Sequence, residues 1–236
     1  MADLAALRRD PAHTAILTDF DGTLARIVDD PAAAAPLPGA VDVLGALATR
    51  FGLVGVVSGR PLSYLRQHLG DGIWLAGLYG LETSDGAVVG NEWRAAVTDA
   101  VARARAEFGD AVEDKGLSLT LHFRRRTDLA PAIEAWAAQQ APLVARPAKA
   151  SVELHPPVDT DKGTVVTRAC EGMTAACFLG DDVGDLPAFA ALDLLDADTV
   201  KIAVRTAETP AELLERADVI VDGPDGALAL LQTLLT

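Results

Sequence analysis

The chain is short of three things. It has two cysteines in 236 residues, Cys170 and Cys177. Both lie in apolar surroundings at no metal-ligand spacing, which excludes a disulfide framework and a cysteine-built metal centre and leaves core packing. Basic residues are outnumbered, with 20 Lys and Arg against 34 Asp and Glu and a formal net charge of -14. Binding a nucleic-acid backbone requires Lys and Arg, so no nucleic-acid partner is expected. A small anionic substrate stays admissible, because a bound Mg²⁺ and one Lys can reverse the field locally. Long apolar runs are missing too. No stretch spans a bilayer, and Met1 to Asp10 lacks the apolar core of a signal peptide. Low-complexity tracts and internal repeats are absent. The expectation is a folded cytoplasmic monomer, half hydrophobic by composition, long enough for one large domain or two modest ones.

What is present is organised around Thr18-Asp19-Phe20-Asp21-Gly22-Thr23-Leu24. It follows Ala15-Ile16-Leu17, a short apolar run suited to a buried strand. Two carboxylates stand two residues apart at that strand's end, and Gly22 allows a turn or a close backbone approach. Ligands of open α/β sheets bind beyond the carboxyl ends of strands. Two neighbouring carboxylates suit a hard cation such as Mg²⁺, and an Asp can act as a nucleophile toward phosphorus. Taken alone, the same four residues also read as an ordinary Asp-Gly turn.

Along the chain, Asp29 to Pro38 reads as a Pro- and Ala-rich loop. Val41, Leu44, Leu47 and Phe51 mark a helix face, and Leu53 to Val57 a buried strand followed by Ser58-Gly59-Arg60. Pro61 opens the next helix, to about Leu69, and Ile73 to Ala76 is a third strand. Ser84-Asp85-Gly86 reads as a hairpin-like turn before Ala87-Val88-Val89. Trp93 to Phe108 then carries a helical face. Leu117 to Phe123 alternates apolar and polar residues like a one-faced strand, and a helix runs near Leu129 to Gln140. Leu143 to Ala145 and Ser151 to Leu154 are strand-like. Thr160 or Asp161 caps a helix with Lys162 in its first turn. Ala175 to Leu179 is a strand ending at Gly180-Asp181-Asp182. A helix with Leu186 and Phe189, a strand at Val200 to Val204, a helix at Ala211 to Arg216, a strand at Val219 to Val221 and a helix near Ala227 to Leu235 complete the pattern. The predicted fold is α/β, a doubly wound, mostly parallel sheet with an inserted smaller α+β domain. Residues 1–83 and 155–236 form the expected core, and residues 84–154 the insertion.

Three strands thus end in polar clusters: Asp19 with Asp21, Ser58-Gly59-Arg60, and Asp181 with Asp182 and Asp185. In a doubly wound sheet these ends can converge at one edge. With Lys162, this ordered set resembles the four motifs of the haloacid dehalogenase-type phosphohydrolases. Within them the chain is most similar to trehalose-6-phosphate phosphatases. The likeness lies in the stretches Asp21 to Pro31, Val56 to Arg60, Val112 to Arg124, Glu153 to Gly163 and Gly180 to Phe189. There are departures. The family usually carries Gly-x-His-Gly where this chain has Gly77-Leu78-Tyr79-Gly80, often Arg where His155 stands, and commonly Arg-Thr-Asp-Glu where this chain has Val183-Gly184-Asp185-Leu186.

The resemblance implies a Mg²⁺-dependent phosphatase acting on a small-molecule sugar phosphate, with the insertion as a cap. Asp19 would attack phosphorus. Asp21 would protonate the leaving sugar oxygen and later activate water. Asp19, Asp181 and the backbone carbonyl of Asp21 would hold Mg²⁺. Lys162 would face Asp19 and the phosphate. Its other reading is a solvated helix-start Lys, which the helix dipole disfavours. Ser58 would donate to the phosphate or cap a helix. Gly59 and Arg60 would bind substrate, unless Arg60 anchors a helix start. Asp182 and Asp185 would be supporting groups or dipole-favoured helix-start acids. Glu113, Lys115 and Glu153 would bind sugar hydroxyls, although Glu113 and Lys115 also read as an exposed pair. His122 and Arg124 would line a cleft or face solvent. Two alternatives stand beside this. One is the same chemistry on another sugar phosphate, favoured by the altered Gly77 to Gly80 segment. The other is a signalling module that keeps phosphate on Asp19 without turnover.

Overall fold

The computed structural model describes residues 4–28, 30, 33–148 and 150–236. Asp29, Pro31 and Ala32 of the expected Asp29 to Pro38 loop lie outside the described residues. The chain divides into two compact units, Met1–Gly86 with Thr160–Thr236, and Ala87–Asp159.

The first unit begins with β1 (Thr14–Thr18), α1 (Ala40–Ala48), β2 (Leu53–Val57), α2 (Leu62–Leu69), β3 (Trp74–Gly77) and the two-residue β4 (Glu82–Thr83). The second unit contributes α3 (Arg94–Phe108), β5 (Val112–Asp114), β6 (Leu119–His122), α4 (Ala130–Ala137), β7 (Val144–Ala148) and β8 (Ser151–His155). The first unit then resumes with α5 (Lys162–Ala169), β9 (Ala175–Gly180), α6 (Leu186–Leu194), β10 (Asp198–Arg205), α7 (Ala211–Arg216), β11 (Val219–Asp222) and α8 (Gly223–Thr233).

The sheet of the first unit runs β11-β10-β9-β1-β2-β3-β4. Every pairing is parallel except β3 with β4. β1 and β9 are buried along their whole length, as parallel strands covered on both faces must be. Alternate residues divide between two cores. Ile16, Val54, Val56, Cys177, Leu179 and Ile202 pack with α1, α2 and α8 residues such as Leu44, Leu65 and Leu231. Ala15, Leu17, Val57, Ala176, Phe178 and Ala203 pack with Val166 of α5, Phe189 of α6 and Leu213 of α7. The period of two is the pleat itself. β1 pairs with β2 on one side and β9 on the other. The chain therefore leaves β1 in one direction and returns on its other flank, which makes the carboxyl end of β1 the topological switch point.

The second unit is an antiparallel sheet of order β5-β6-β8-β7. Val97, Ala100, Val101 and Ala104 of α3 and Ile133 of α4 share a core with Leu119, Leu121, Val152 and Leu154.

Four local expectations are corrected. Val41 is exposed, because the buried stripe of α1 is Ala40, Val43, Leu44 and Leu47. The strand flanking the Ser84-Asp85-Gly86 turn is β4, before it, and residues 87–89 hold no more than an isolated bridge residue at Val88. The alternation around β6 does not leave only one face buried, since Ser118 and Thr120 are buried as well as Leu119 and Leu121. α8 also starts a turn earlier than expected, with Pro224 in its first turn, where a missing N–H costs nothing.

Among the described residues no helix is long and apolar enough to cross a membrane. Cys170 and Cys177 are both buried and free, and burial pushes each thiol up to about 12. At pH 8 the thiolate, the reactive form, would be roughly one part in 10⁴. Iodoacetamide is expected to label neither cysteine in the native protein and both after denaturation, read by intact mass. Rapid native labelling of either would contradict this packing.

Candidate active site

The motif after β1 folds as a tight turn. Leu24 and Ala25 N–H both donate to the Phe20 carbonyl, and Gly22 N–H donates to that of Ala25. Gly22 has φ +76°, and a Cβ there would lie 2.2 Å from Asp181 Oδ2. A side chain at this position would displace the Asp181 carboxylate, so glycine is required both for the turn and for that carboxylate.

Asp19 extends β1 by one residue, its N–H bonded to the Leu179 carbonyl of β9 at 2.8 Å. Its Oδ1 accepts from Phe20 N–H at 2.6 Å, and its Oδ2 lies 2.9 Å from Lys162 Nζ. Lys162 is the first residue of α5, a helix closed by a reciprocal capping box between Asp161 and Thr164. Asp161, rather than Thr160, is thus the cap. Lys162 also donates to Asp185 Oδ1 at 2.6 Å. The other oxygen of Asp185 accepts from the N–H groups of Asp181 and Asp182 at 2.9 and 3.0 Å. A Cβ at Gly180 would fall 2.3 Å from the Asp185 carboxyl carbon. Asp185 is fully buried. It is therefore no solvated helix-start acid: its oxygens bond Lys162 and the Asp181 and Asp182 backbone. Asp182 is half-buried and accepts from Val183 N–H at the start of the short turn before α6.

Asp19, Asp181 and Asp185 offer carboxylate oxygens all within 4.8 Å of one another, and all three residues are buried. The Lys162 ammonium contacts two of them, Asp19 and Asp185. Burial works to lower the Lys162 pKa, but the charges of Asp185 and Asp19 outweigh it and hold the ammonium well above its usual range. Burial raises the Asp19 pKa well above the ordinary carboxylate value; Lys162 opposes this, and the Asp185 and Asp181 charges add to it. Three clustered buried carboxylates, two of them sharing the Lys162 ammonium, favour an added cation. Oxygen donors at this spacing suit a small hard divalent cation with ligand distances of about 2.0–2.6 Å. The donor set and the Gly22 cradle beside Asp181 therefore fit a bound metal ion.

Asp21 does not join that cluster through its carboxylate. Arg60 Nε and a terminal nitrogen donate to its two oxygens at 2.7 and 2.8 Å. This fork is the strongest geometry available to a carboxylate. Arg60 also stacks 4.6 Å over the Tyr64 ring, and Tyr64 meets Phe20 edge-on at 5.8 Å. Arg60 is thus a clamp on Asp21 rather than a helix anchor; the N-cap of α2 is Pro61, and Leu62 N–H donates to Glu82.

Ser58 follows β2, whose Val56 is in register with Thr18. Ser58 and Asp19 therefore emerge at the same sheet edge. Ser58 is buried, and its Oγ accepts from Arg60 N–H at 3.2 Å, leaving the hydroxyl hydrogen to donate.

The segment after β3 was legible only as a departure from the family pattern. Leu78 and Tyr79 both adopt left-handed backbone, with φ of 51° and 56°. Each such residue costs about 1–3 kcal/mol and persists only where its surroundings hold it. Tyr79 N–H donates to the Ser58 carbonyl, Leu78 N–H to that of Arg60, and Thr160 Oγ1 to the Tyr79 carbonyl at 2.7 Å.

In the second unit, Glu113 and Lys115 are not an exposed pair. Glu113 contacts His122 Nε2 at 2.8 Å. Lys115 lies 3.6 Å from Glu153, with both side chains nearly buried, and Ser118 Oγ donates to Glu153 at 2.7 Å.

The chain is similar to several known proteins. A family model described as trehalose-phosphatase matches residues 17–215. The trehalose-phosphate phosphatase of Mycobacterium avium (strain 104) is 35% identical over 216 residues, covering 82% of this chain and 55% of the relative. The chain thus spans about half the length of the curated relatives it matches. Among solved structures, a trehalose-6-phosphate phosphatase related protein superposes with a TM-score of 0.77 at 22% identity, over 94% of this chain and 96% of that one. A haloacid dehalogenase-like hydrolase from Bacteroides thetaiotaomicron gives 0.64 at 16% identity, over 94% and 99%. At such identities these two show the fold, which is the haloacid dehalogenase-like one. The family model covers most of the chain, including every motif residue from Asp19 to Asp185, and the chain therefore belongs to the trehalose-phosphatase family.

Proposed function

We propose that the chain hydrolyses trehalose 6-phosphate to trehalose and phosphate through an aspartyl-phosphate on Asp19. The observation that carries this reading is the buried cluster at the end of β1, where Lys162 lies between Asp19 and Asp185 at 2.9 and 2.6 Å. An Asp19 oxygen forms a bond to phosphorus while the bond from phosphorus to the sugar oxygen breaks. Asp21, protonated and released from at least one arm of the Arg60 fork, gives that oxygen its proton, then takes one from the water that attacks the aspartyl-phosphate and regenerates Asp19. An anion attacking a phosphate dianion meets repulsion, which Lys162 and the Ser58 hydroxyl offset on the protein's side. Mg²⁺ is the cation proposed for the site, held by Asp19, Asp181 and the Asp21 carbonyl, and it would neutralise the phosphate charge. Asp185 is proposed to position Lys162 and the Asp181 loop. Glu113, Lys115 and Glu153 are the proposed partners of sugar hydroxyls.

The test is phosphate release from a panel of sugar phosphates with Mg²⁺ or with EDTA. The expected result is turnover with a preference for trehalose 6-phosphate, lost in EDTA and restored by Mg²⁺. Equal rates on all esters would refute the substrate. A stable phosphorylated protein without turnover would point to the signalling reading.

A further inference from the structure

The mechanism above gives no role to Tyr79, yet the fold goes to some length to place it. Two consecutive non-glycine residues stand in left-handed backbone at the end of β3. The carbonyls of Ser58 and Arg60 and the Thr160 hydroxyl hold them there. Gly80 completes the turn, and a Cβ on it would meet Val165 Cγ2 at 2.4 Å, so the turn is pressed against α5. The ring then reaches across the Ser58-Gly59-Arg60 loop. A Cβ on Gly59 would lie 2.6 Å from the Tyr79 hydroxyl oxygen. Gly59 is thus the residue that makes room for the phenol. The phenol therefore lies against Gly59, the residue next to Ser58 in the same loop. Its side chain is half-buried, while Ser58 and Lys162 are buried.

We propose that Tyr79 is a further substrate-contacting residue of this site, its phenolic O–H donating to a non-bridging oxygen of the phosphoryl group that Ser58 and Lys162 also engage. The inference rests on the phosphatase reading and deepens it. The phenol is beside the loop that carries Ser58, a group assigned to the phosphate, which directs its proposed contact to the phosphoryl oxygens. Charge on those oxygens is redistributed in the transition state, and a fixed neutral donor in a dry site stabilises it without adding a competing charge. The strained turn has a physical use here. Its surroundings fix the backbone of Tyr79, so the ring is positioned before substrate arrives.

The deciding variant is Tyr79→Phe, which removes one oxygen and keeps the ring. Steady-state kinetics on trehalose 6-phosphate are read together with inhibition by inorganic phosphate, calorimetric binding of inorganic phosphate and the melting temperature. With the wild type active, kcat/KM is expected to fall roughly 10- to 100-fold, as for a lost hydrogen bond to a charged group. Most of the fall should be in kcat. The phosphate affinity should weaken while the variant stays folded at the assay temperature. Unchanged kcat and phosphate affinity in Tyr79→Phe would overturn the proposal, as would a lowered melting temperature with unchanged phosphate affinity. A wild type inactive on every ester would instead overturn the phosphatase reading itself, and the calorimetric arm still reports on Tyr79.

Discussion

Asp19→Asn is expected to abolish turnover, by at least about 10⁴-fold in kcat, as removal of a covalent nucleophile does elsewhere. An amide oxygen does not form a stable bond to phosphorus under these conditions, so no other group compensates. The fold should survive. Asp19 now accepts from two donors, Phe20 N–H on one oxygen and Lys162 on the other. Asn offers one acceptor and one NH₂, so one of these contacts is lost, at a cost of about 1–3 kcal/mol. Against that, one of three clustered carboxylates is neutralised, which relieves the repulsion from Asp181 and Asp185 that now raises the Asp19 pKa. The two effects oppose each other, and the melting temperature should move by only a few degrees. Circular dichroism and phosphate release on the same sample check both halves. Turnover near the wild-type rate would place the nucleophile elsewhere.

The central sheet and its motif were readable because parallel strands buried on both faces are continuous apolar runs, bounded here by Gly and acidic residues. β2 occupies the very span Leu53–Val57 that its composition suggests. β4 was not readable, since two residues led by Glu82 carry no period. Ser118 and Thr120 read as the polar side of a one-faced strand because alternation says which residues share a side, not whether that side is buried, as it is here beside Glu153 of the neighbouring strand. Pairings between distant charges were equally hidden. Nothing local says that Arg60 grips Asp21, 39 residues away, or that Asp185 rather than Asp182 holds Lys162. The motif spacing brought Asp19, Lys162 and the Asp181–Asp185 loop to one sheet edge; the direction of each carboxylate is set by tertiary contacts. The one local sign of Tyr79 was that it stands where a His is usual, and only the backbone geometry gave that difference physical content.

Lys162→Met should be the most destabilising single change at the site. Met fills much of the same volume, so the loss isolates the charge rather than a cavity. Lys162 now contacts Asp19 at 2.9 Å and Asp185 at 2.6 Å, its side chain 4% exposed. Removing one partner of a buried ionic cluster strands the others in low dielectric, at about 3–5 kcal/mol. For a chain of this size that is a fall in melting temperature of roughly 6–20 °C. The sign with pH follows from the direction of the shift. The folded ammonium binds its proton more tightly than an unfolded Lys of pKa 10.5. Its contribution is therefore whole below that value and is lost only as pH rises through the higher folded one, so the gap between wild type and variant should hold across about pH 7 to 9. Metal gives a second readout. A divalent cation that binds only the folded state raises the melting temperature in proportion to its binding free energy. The variant cluster keeps three carboxylates and no ammonium, so Mg²⁺ should raise the melting temperature of Lys162→Met by more than that of the wild type, and EDTA should widen the gap between them. Equal melting temperatures, or a metal response identical in both proteins, would mean that Lys162 is not the counter-charge of this cluster.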